Sequence, residues 1–211
     1  MAEPEPVPSA MPPASIRSRP TYDGLRAIPT AGSNLVVAEG EGTQAVLRMM
    51  ADAPPGFAGR THLLHAETGA PATHDLDCLR AFGIGRVDVV PTTDEAHLLL
   101  DDLLHTATMG TRLYVVGSES FIGQTVRLAI DHGIDHSSIL TEHSGSLARR
   151  VQCVHCKHVT EHVTVSVFRC SECGIALFVR DHYSRRLAAF QGVCVNAEDP
   201  SELPPAEEAY R

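Results

Sequence analysis

The 211-residue chain has no run of about eighteen apolar residues, the length typical of a membrane-spanning helix. Its first residues, MAEPEPVPSAMPPAS, have neither the basic start nor the apolar core of a secretory signal peptide. A cytoplasmic protein without a membrane partner is therefore expected. In that reducing compartment the six cysteines are metal ligands or buried thiols rather than disulfides.

The chain also lacks the broad basic surface that general nucleic-acid binding requires. Its net charge is −9, and the segment from Arg149 to Cys194 holds seven Lys/Arg against three Asp/Glu. An acidic body with a basic C-terminal region argues against a nucleic-acid partner. It favours either a protein partner with an acidic surface or a solvated surface on which the charges happen to separate.

Composition divides the chain into four parts. Residues 1–20 contain six prolines and few large apolar groups, which predicts disorder. Residues 196–211 form an acidic, Pro-bearing tail that is expected to lack a packed element unless a partner orders it. Between them we expect an α/β domain over residues 21–148 and a small β region over residues 149–195.

The first of these domains alternates short β-branched runs with amphipathic segments. Strands are predicted at 35–38, 62–65, 87–90, 113–116 and 138–141, and helices at 43–50, 75–82, after a capping box formed by Thr92 and Glu95, and at 121–130. This alternation predicts an α/β fold with a parallel sheet covered on both faces. Such sheets bind ligands at the carboxyl ends of their strands, here the loops at 39–42 and 117–120.

The loop at 38–43, AEGEGT, has the glycine spacing of a phosphate-binding turn. Gly40, Gly42 and Thr43, with Gly117 in the second loop, are the candidate cofactor-binding residues. Glu39 and Glu41 lie in the same loop, and each would repel a nearby phosphate by roughly 2–4 kcal/mol. We therefore expect vestigial nucleotide loops, with nucleotide binding as the alternative.

Residues 33–147 resemble the NAD-binding half of ferredoxin reductase-like flavoenzymes. That family has a Gly-Gly-x-Gly-x-Thr-Pro loop after its first strand, and here LVVAEGEG (35–42) has Glu39 in place of a glycine. The family's later Cys-Gly-Pro corresponds to YVVGSESF (114–121), with Val116 in place of the cysteine and Ser118 in place of the proline, and TEH (141–143) resembles its terminal Glu-containing strand. The resemblance implies a Rossmann-like sheet that has lost its hydride-transfer contacts. Residues 1–32 are too short for a flavin-binding barrel.

Four cysteines form the most specific motif in the sequence. Cys153, Cys156, Cys170 and Cys173 are spaced C-x2-C-x13-C-x2-C, as in zinc ribbons. We expect a structural Zn²⁺, with Fe in a rubredoxin-type site as the alternative. His155, His158 and His162 are expected to face solvent, and Gly174 to supply the positive φ of a metal-binding knuckle. No C-x-x-C-His is present, which excludes covalent haem attachment. Cys78 and Cys194 are expected to be inert buried thiols.

The segment after the ribbon, LFVRDHYSRRLAAFQGV (177–193), is dense in arginine and aromatic residues. These residue types anchor protein interfaces. The predicted interface consists of Phe178, Arg180, Tyr183, Arg185, Arg186 and Phe190. No nucleophile–base pair is visible, so no catalytic residue is assigned.

Residues 20–200 as a whole resemble the small zinc-ribbon subunit of bacterial dimethylamine monooxygenase, most specifically in FVRDHYSRRLAAFQGV (178–193). The resemblance implies an accessory subunit of a complex that demethylates dimethylamine to methylamine and formaldehyde with NADPH and O₂. It implies haem in one partner subunit and flavin with a 2Fe-2S cluster in another. The alternatives are a rubredoxin-like electron carrier fed by a bound nicotinamide, and a nucleic-acid-binding zinc ribbon.

Overall fold

The computed structural model describes residues 18–69, 72–199, 201 and 203–210. The expectation of disorder at the N-terminus falls mainly on residues 1–17, which lie outside the described residues. Within the described ranges, no helix combines the length and the apolar character needed to cross a bilayer.

The larger sheet is fully parallel, with strand order β3-β2-β1-β4-β5. Its strands are β1 (Ser33–Glu39), β2 (Thr61–Ala66), β3 (Arg86–Val90), β4 (Thr111–Gly117) and β5 (Ile139–His143). The connecting helices are α1 (Thr43–Ala51), α2 (Thr73–Ala81), α3 (Thr93–His105) and α4 (Glu119–Asp131). Each predicted strand and helix is present, so the predicted α/β fold class is confirmed. The order of the strands is Rossmann-like.

Alternation along the central strand explains why both faces of this sheet are covered. Leu35 and Val37 pack with α3 and α4, whereas Val36 and Ala38 pack with α1 and α2. Val36, Val37 and Ala38 have no exposed surface. A strand buried on both faces reads as a continuous apolar run, which is the pattern that predicts it.

Side-chain caps fix where two of the helices begin. The hydroxyl of Thr92 accepts a hydrogen bond from the Glu95 amide at 3.1 Å and donates one to Glu95 Oε1 at 3.3 Å, which confirms Thr92 as the helix cap. The hydroxyl of Ser118 accepts from the Phe121 amide at 3.3 Å. Because Ser118 directly follows β4, this cap places the start of α4 at the carboxyl edge of the sheet.

The C-terminal region forms a second sheet with order β7-β6-β11-β10-β9. Its strands are β6 (Arg149–Cys153), β7 (Val159–Val163), β9 (Phe168–Arg169), β10 (Ala176–Ser184) and β11 (Ala189–Cys194). The β6–β11 pair is parallel and the other pairs are antiparallel. This is the predicted small β region, built around the four cysteines.

The acidic tail forms an element that its composition does not indicate. β12 (Glu207–Glu208) pairs antiparallel with the short β8 (Val165–Ser166), and both Ala209 and Tyr210 donate their amides to the Thr164 carbonyl at 3.0 Å. Tyr210 then packs against the small core of the second sheet. The chain itself therefore orders part of its tail, through backbone pairing and one aromatic ring.

Candidate metal centre and adjacent clefts

The four predicted ligand cysteines converge on one point. Their sulfur atoms all lie within 4.8 Å of one another. Cys153 Sγ lies 3.8 Å from Cys173 Sγ, and Cys156 Sγ lies 3.6 Å from Cys170 Sγ. A tetrahedral ion with metal–sulfur bonds of about 2.3 Å requires sulfur–sulfur separations of about 3.8 Å. The cluster therefore fits one metal ion, and its sulfurs are too far apart for the ~2.05 Å bond of a disulfide.

Two equivalent hooks hold these sulfurs. In the first, the Lys157 amide donates to the Cys153 carbonyl at 3.0 Å, and in the second the Gly174 amide donates to the Cys170 carbonyl at the same distance. Both turning residues adopt the left-handed conformation, with φ of 67° at Lys157 and 72° at Gly174. The predicted positive φ at Gly174 is confirmed, and Lys157 adopts the same turn at the steric cost of a Cβ.

The thiols differ in how easily they ionise. Burial raises the pKa of Cys170, but hydrogen bonds from the backbone amides of Cys173 and Glu172 outweigh it and hold this pKa at about 7. At Cys156 the His158 amide lowers the pKa, but burial and the neighbouring thiols raise it to about 12. Cys170 therefore becomes a thiolate, the form that binds metal, at a lower pH than Cys156.

The nearby histidines are not part of the cluster. His155, His158 and His162 are all exposed, as expected, and the four-sulfur group does not include them. The expectation that Cys78 and Cys194 are buried is wrong, because both are partly exposed. Cys78 Sγ lies 3.8 Å from His74 Nε2 on α2, and Cys194 Sγ lies 3.5 Å from Asn196 Oδ1. Each of these two thiols thus has a polar neighbour and partial access to solvent.

A carboxylate of the chain itself occupies the carboxyl edge of the parallel sheet. Glu39 Oε2 accepts a hydrogen bond of 2.8 Å from the Ser118 amide, at the N-cap of α4. Amides at such a helix start are the groups that commonly receive a phosphate. Thr43 is also engaged, because its hydroxyl donates to Asp75 Oδ2 at 2.8 Å.

The glycines of the two loops have internal packing roles. A Cβ on Gly117 would lie 2.7 Å from Glu39 Cβ and 2.8 Å from Phe121 Cδ1. Gly40 adopts a φ of 51°, and a Cβ there would lie 2.9 Å from the Thr68 carbonyl oxygen. A Cβ on Gly42 would come within 3.1 Å of the β4 backbone and a valine side chain. Close packing inside the chain thus accounts for these glycines without a ligand.

Two connected cavities open at this edge, with volumes of about 350 and 380 Å³. They share Glu39, Ser118, Ser120 and His162, and their other lining residues include glycines, Phe121, hydroxyl groups, an amide and further carboxylates such as Glu41. Neither Lys nor Arg occurs among their described lining residues. The local electrostatic field therefore disfavours a phosphate.

The predicted interface residues separate into an exposed and an internal group. Arg180, Arg185 and Arg186 are exposed, and 47 % of Phe178 is exposed. Phe190 is 1 % exposed, and the half-buried Tyr183 lies edge-on to it with ring centroids 5.0 Å apart. The segment thus supplies three arginines and one aromatic ring to the surface, while its other two rings pack internally.

Arg149, which the sequence did not single out, joins the two sheets. It is 3 % exposed, and its Nη1 lies 2.8 Å from Asp181 Oδ1 while its Nε lies 3.6 Å from Glu119 Oε2. Neither nitrogen has an aligned hydrogen bond. The guanidinium lies between the rings of Phe190 and Tyr210, at 3.9 and 4.0 Å from their centroids. No local motif marks such a residue, because its partners come from distant segments.

Glu119 is also held from the other side. It is 7 % exposed and accepts a hydrogen bond of 3.1 Å from the Tyr22 hydroxyl. Burial and the charge of Glu119 strongly raise the pKa of Tyr22, which therefore remains a hydrogen-bond donor. Arg149, Glu119 and Asp181 line a groove of about 520 Å³ between the start of α4 and the second sheet, and Leu147 and Phe178 line it as well.

Comparison with known families shows to which family this chain belongs. Residues 14–139 match the family described as dimethylamine monooxygenase subunit DmmA-like, N-terminal domain, and residues 150–193 match the corresponding C-terminal domain. The chain belongs to this DmmA-like family. The resemblance found in the sequence is thereby confirmed.

A curated relative of this DmmA-like chain is the heme-dependent oxidative N-demethylase delta subunit of Ectopseudomonas mendocina (strain ymp). The two are 29 % identical over 183 residues, covering 87 % of this chain and 91 % of the relative. The relative is thus matched over nearly its whole length.

Two solved reductases are also similar to part of the DmmA-like chain. The ferredoxin reductase of carbazole 1,9a-dioxygenase is 17 % identical, with a TM-score of 0.40 over 56 % of this chain and 34 % of the reductase. Phthalate dioxygenase reductase is 15 % identical, with a TM-score of 0.43 over 69 % of this chain and 46 % of the reductase. The chain therefore spans less than half the length of either enzyme.

Proposed function

We propose that this chain is a non-catalytic accessory subunit of a multicomponent, haem-dependent dimethylamine monooxygenase that consumes NADPH and O₂. The observation that carries the proposal is the match to the DmmA-like family along both parts of the chain, with a relative named as a delta subunit. In this proposal haem is in one partner subunit, and flavin and 2Fe-2S are in another. The domain limits at 21–148 and 149–195 and the cytoplasmic location are kept as predictions.

The four cysteines hold Zn²⁺ in this proposal. Four thiolates close the tetrahedral shell and leave no position for a substrate, which is the arrangement of structural zinc sites. Iron has a similar bond length, and would make the chain a rubredoxin-type electron carrier. A visible spectrum and metal analysis of the purified chain separate the two, since the zinc form is colourless.

The nucleotide loops are vestigial in this proposal, and the Glu39 carboxylate occupies the position at the start of α4 where a nucleotide phosphate would bind. The support is the hydrogen bond that the Ser118 amide donates to the Glu39 carboxylate, together with the lack of Lys and Arg among the described residues that line the cavities. NADPH supplied to the isolated chain is expected to leave its thermal unfolding temperature unchanged. A saturable rise in that temperature would instead support the electron-carrier alternative.

A substitution at Gly117 gives a second test of the proposal that these loops no longer bind a nucleotide. We expect Gly117→Ala to destabilise the chain by about 1–3 kcal/mol without any nucleotide present, because the new methyl group overlaps Glu39 and Phe121. Gly59→Ala is the matched control, since no atom lies within 4 Å of a Cβ there, and it is expected to change stability by less than about 0.5 kcal/mol. Urea unfolding measures both. A Gly117→Ala variant as stable as the parent would show that packing does not require this glycine.

The docking surface in this proposal is the groove between the start of α4 and the second sheet, and its partner is an acidic segment of the haem-bearing subunit. Leu147 and Phe178, each 47 % exposed, provide apolar contacts at its rim. Arg19 contacts Asp181 at 3.7 Å, whereas Arg180 forms no ion pair with any residue that the structure describes. A free arginine beside exposed apolar side chains is suited to a carboxylate-bearing partner.

Co-expression with the haem-bearing subunit tests this surface. We expect Arg180→Glu to weaken the complex at least tenfold in dissociation constant, because the reversed charge repels an acidic partner (~1.4 kcal/mol). Arg60→Glu is the control, since Arg60 is equally exposed but lies on the parallel-sheet domain. Equal weakening by both variants would reject the groove. Failure of the parent chain to co-purify with the haem-bearing subunit would reject the proposed function.

A further inference from the structure

Three potential metal ligands meet at the opposite edge of the parallel sheet, far from the cysteines in sequence. Asp101 and His105 are four residues apart on α3 and so lie on the same face of that helix. His132 is the C-cap residue of α4. One ligand atom from each of the three lies within 4.8 Å of the others.

The individual contacts are close to those of a metal site. Asp101 Oδ1 lies 2.7 Å from His132 Nε2, and Asp101 Oδ2 lies 3.8 Å from His105 Nδ1. The two imidazole rings meet edge-on, with centroids 4.6 Å apart. Bonds of about 2.0–2.2 Å from nitrogen and oxygen to a metal place neighbouring ligand atoms roughly 3.3 Å apart. The observed separations are one shorter and one longer than that value, so small side-chain movements would bring the three ligand atoms to metal-binding distances.

The surroundings also favour positive charge. His105 is the last residue of α3 and His132 follows the last residue of α4, so both helices direct the negative ends of their dipoles at the cluster. Asp101 contributes a carboxylate. Side-chain exposure is 64 % at His105 and 42 % at Asp101, which leaves room for water at the remaining coordination positions.

We propose that Asp101, His105 and His132 form a second metal site, for a divalent first-row transition ion such as Zn²⁺. Two imidazoles and one carboxylate are ligands that such ions accept, and Mg²⁺ or Ca²⁺ would require more oxygen atoms. To bind through Nδ1, His105 must release the hydrogen bond of 2.8 Å that joins it to the Asp101 main-chain oxygen. Unlike the four-cysteine centre, this site is open, and a ligand from another molecule can complete it.

Titration of the full chain with Zn²⁺ tests the proposal, after the metal content of the purified protein has been measured. Calorimetry is expected to show one further ion per chain, and Co²⁺ in its place to give the visible absorption of nitrogen–oxygen coordination. His105→Ala should weaken this binding at least tenfold, and so should His132→Gln. His105 is exposed, so its loss leaves the fold intact.

The control is His136→Ala, which removes another exposed histidine from the 3-10 turn at His136–Ser138 and should leave binding unchanged. Equal binding by His105→Ala, His132→Gln and the parent would mean an adventitious ion only, and would overturn the proposal. Absence of a further ion would overturn it too, and would leave the His132–Asp101 contact as a hydrogen bond without a metal.

Discussion

Replacing Cys170 by serine is expected to release the metal and unfold the C-terminal sheet while the parallel sheet stays folded. Cys170 is 2 % exposed, and its pKa of about 7 favours the thiolate form that binds the ion. Serine removes that ligand and leaves a hydroxyl that does not ionise near neutral pH. Binding of structural zinc is coupled to folding, with apparent free energies of about 10–16 kcal/mol in zinc fingers.

The apolar core of this sheet is too small to replace the metal. One small cluster contains Val151, Val163, Val179 and Phe190, and a second contains Leu177 with two of the cysteines. Burial of each large apolar side chain contributes about 1.5–3 kcal/mol. For a segment of this size, the conformational entropy lost on folding offsets the sum of these contributions. A bound metal is therefore expected to supply a large share of the stability of the region.

Metal content and hydrogen exchange of residues 149–195 measure this prediction. Cys170→Ser should lose the ion and the protection of these amides, while the amides of β1 and β4 stay protected. Cys78→Ser is the matched control, because Cys78 lies outside the cluster on α2, and it should retain both. A Cys170→Ser chain with its full metal content and an unchanged melting profile would contradict the four-thiolate assignment.

Periodicity predicted the parallel sheet because its determinants are local. A strand such as β1, buried on both faces, is a continuous apolar run, and the Thr92 cap with Glu95 marks the start of α3 within four residues. The four-cysteine cluster could be predicted for the same reason, because each of its two halves is specified by a pair of cysteines three positions apart. In each case neighbouring residues suffice to specify the structure.

Features that depend on tertiary contacts could not be predicted. Glu39 was expected to repel a phosphate, but its bond to the Ser118 amide depends on the close approach of β1 and β4. Phe190 and Phe178 look alike in sequence, yet the pleat of the sheet buries one and exposes the other. The position of Tyr210 over Arg149 depends on the pairing of β12 with β8. No short sequence pattern specifies any of these contacts.

Replacing Arg149 by methionine is expected to destabilise the chain by about 3–5 kcal/mol, the usual cost of leaving one member of a buried ion pair without its partner. The group left without its partner is Glu119, which is 7 % exposed and, among the residues that the structure describes, keeps its hydrogen bond from the Tyr22 hydroxyl. Asp181 is affected less, since its side chain is 43 % exposed and it also contacts Arg19. The two aromatic contacts of the guanidinium are lost as well.

A second substitution separates the charge from the packing. Adding Glu119→Gln to Arg149→Met removes the unpaired buried carboxylate, so the double variant should be more stable than Arg149→Met alone. Arg186→Met is the control on an exposed arginine and should change stability by less than about 0.5 kcal/mol. Urea unfolding measures all three variants. If Glu119→Gln restores nothing, the contribution of Arg149 lies in its contacts with Phe190 and Tyr210, and the ion pair does not join the two sheets.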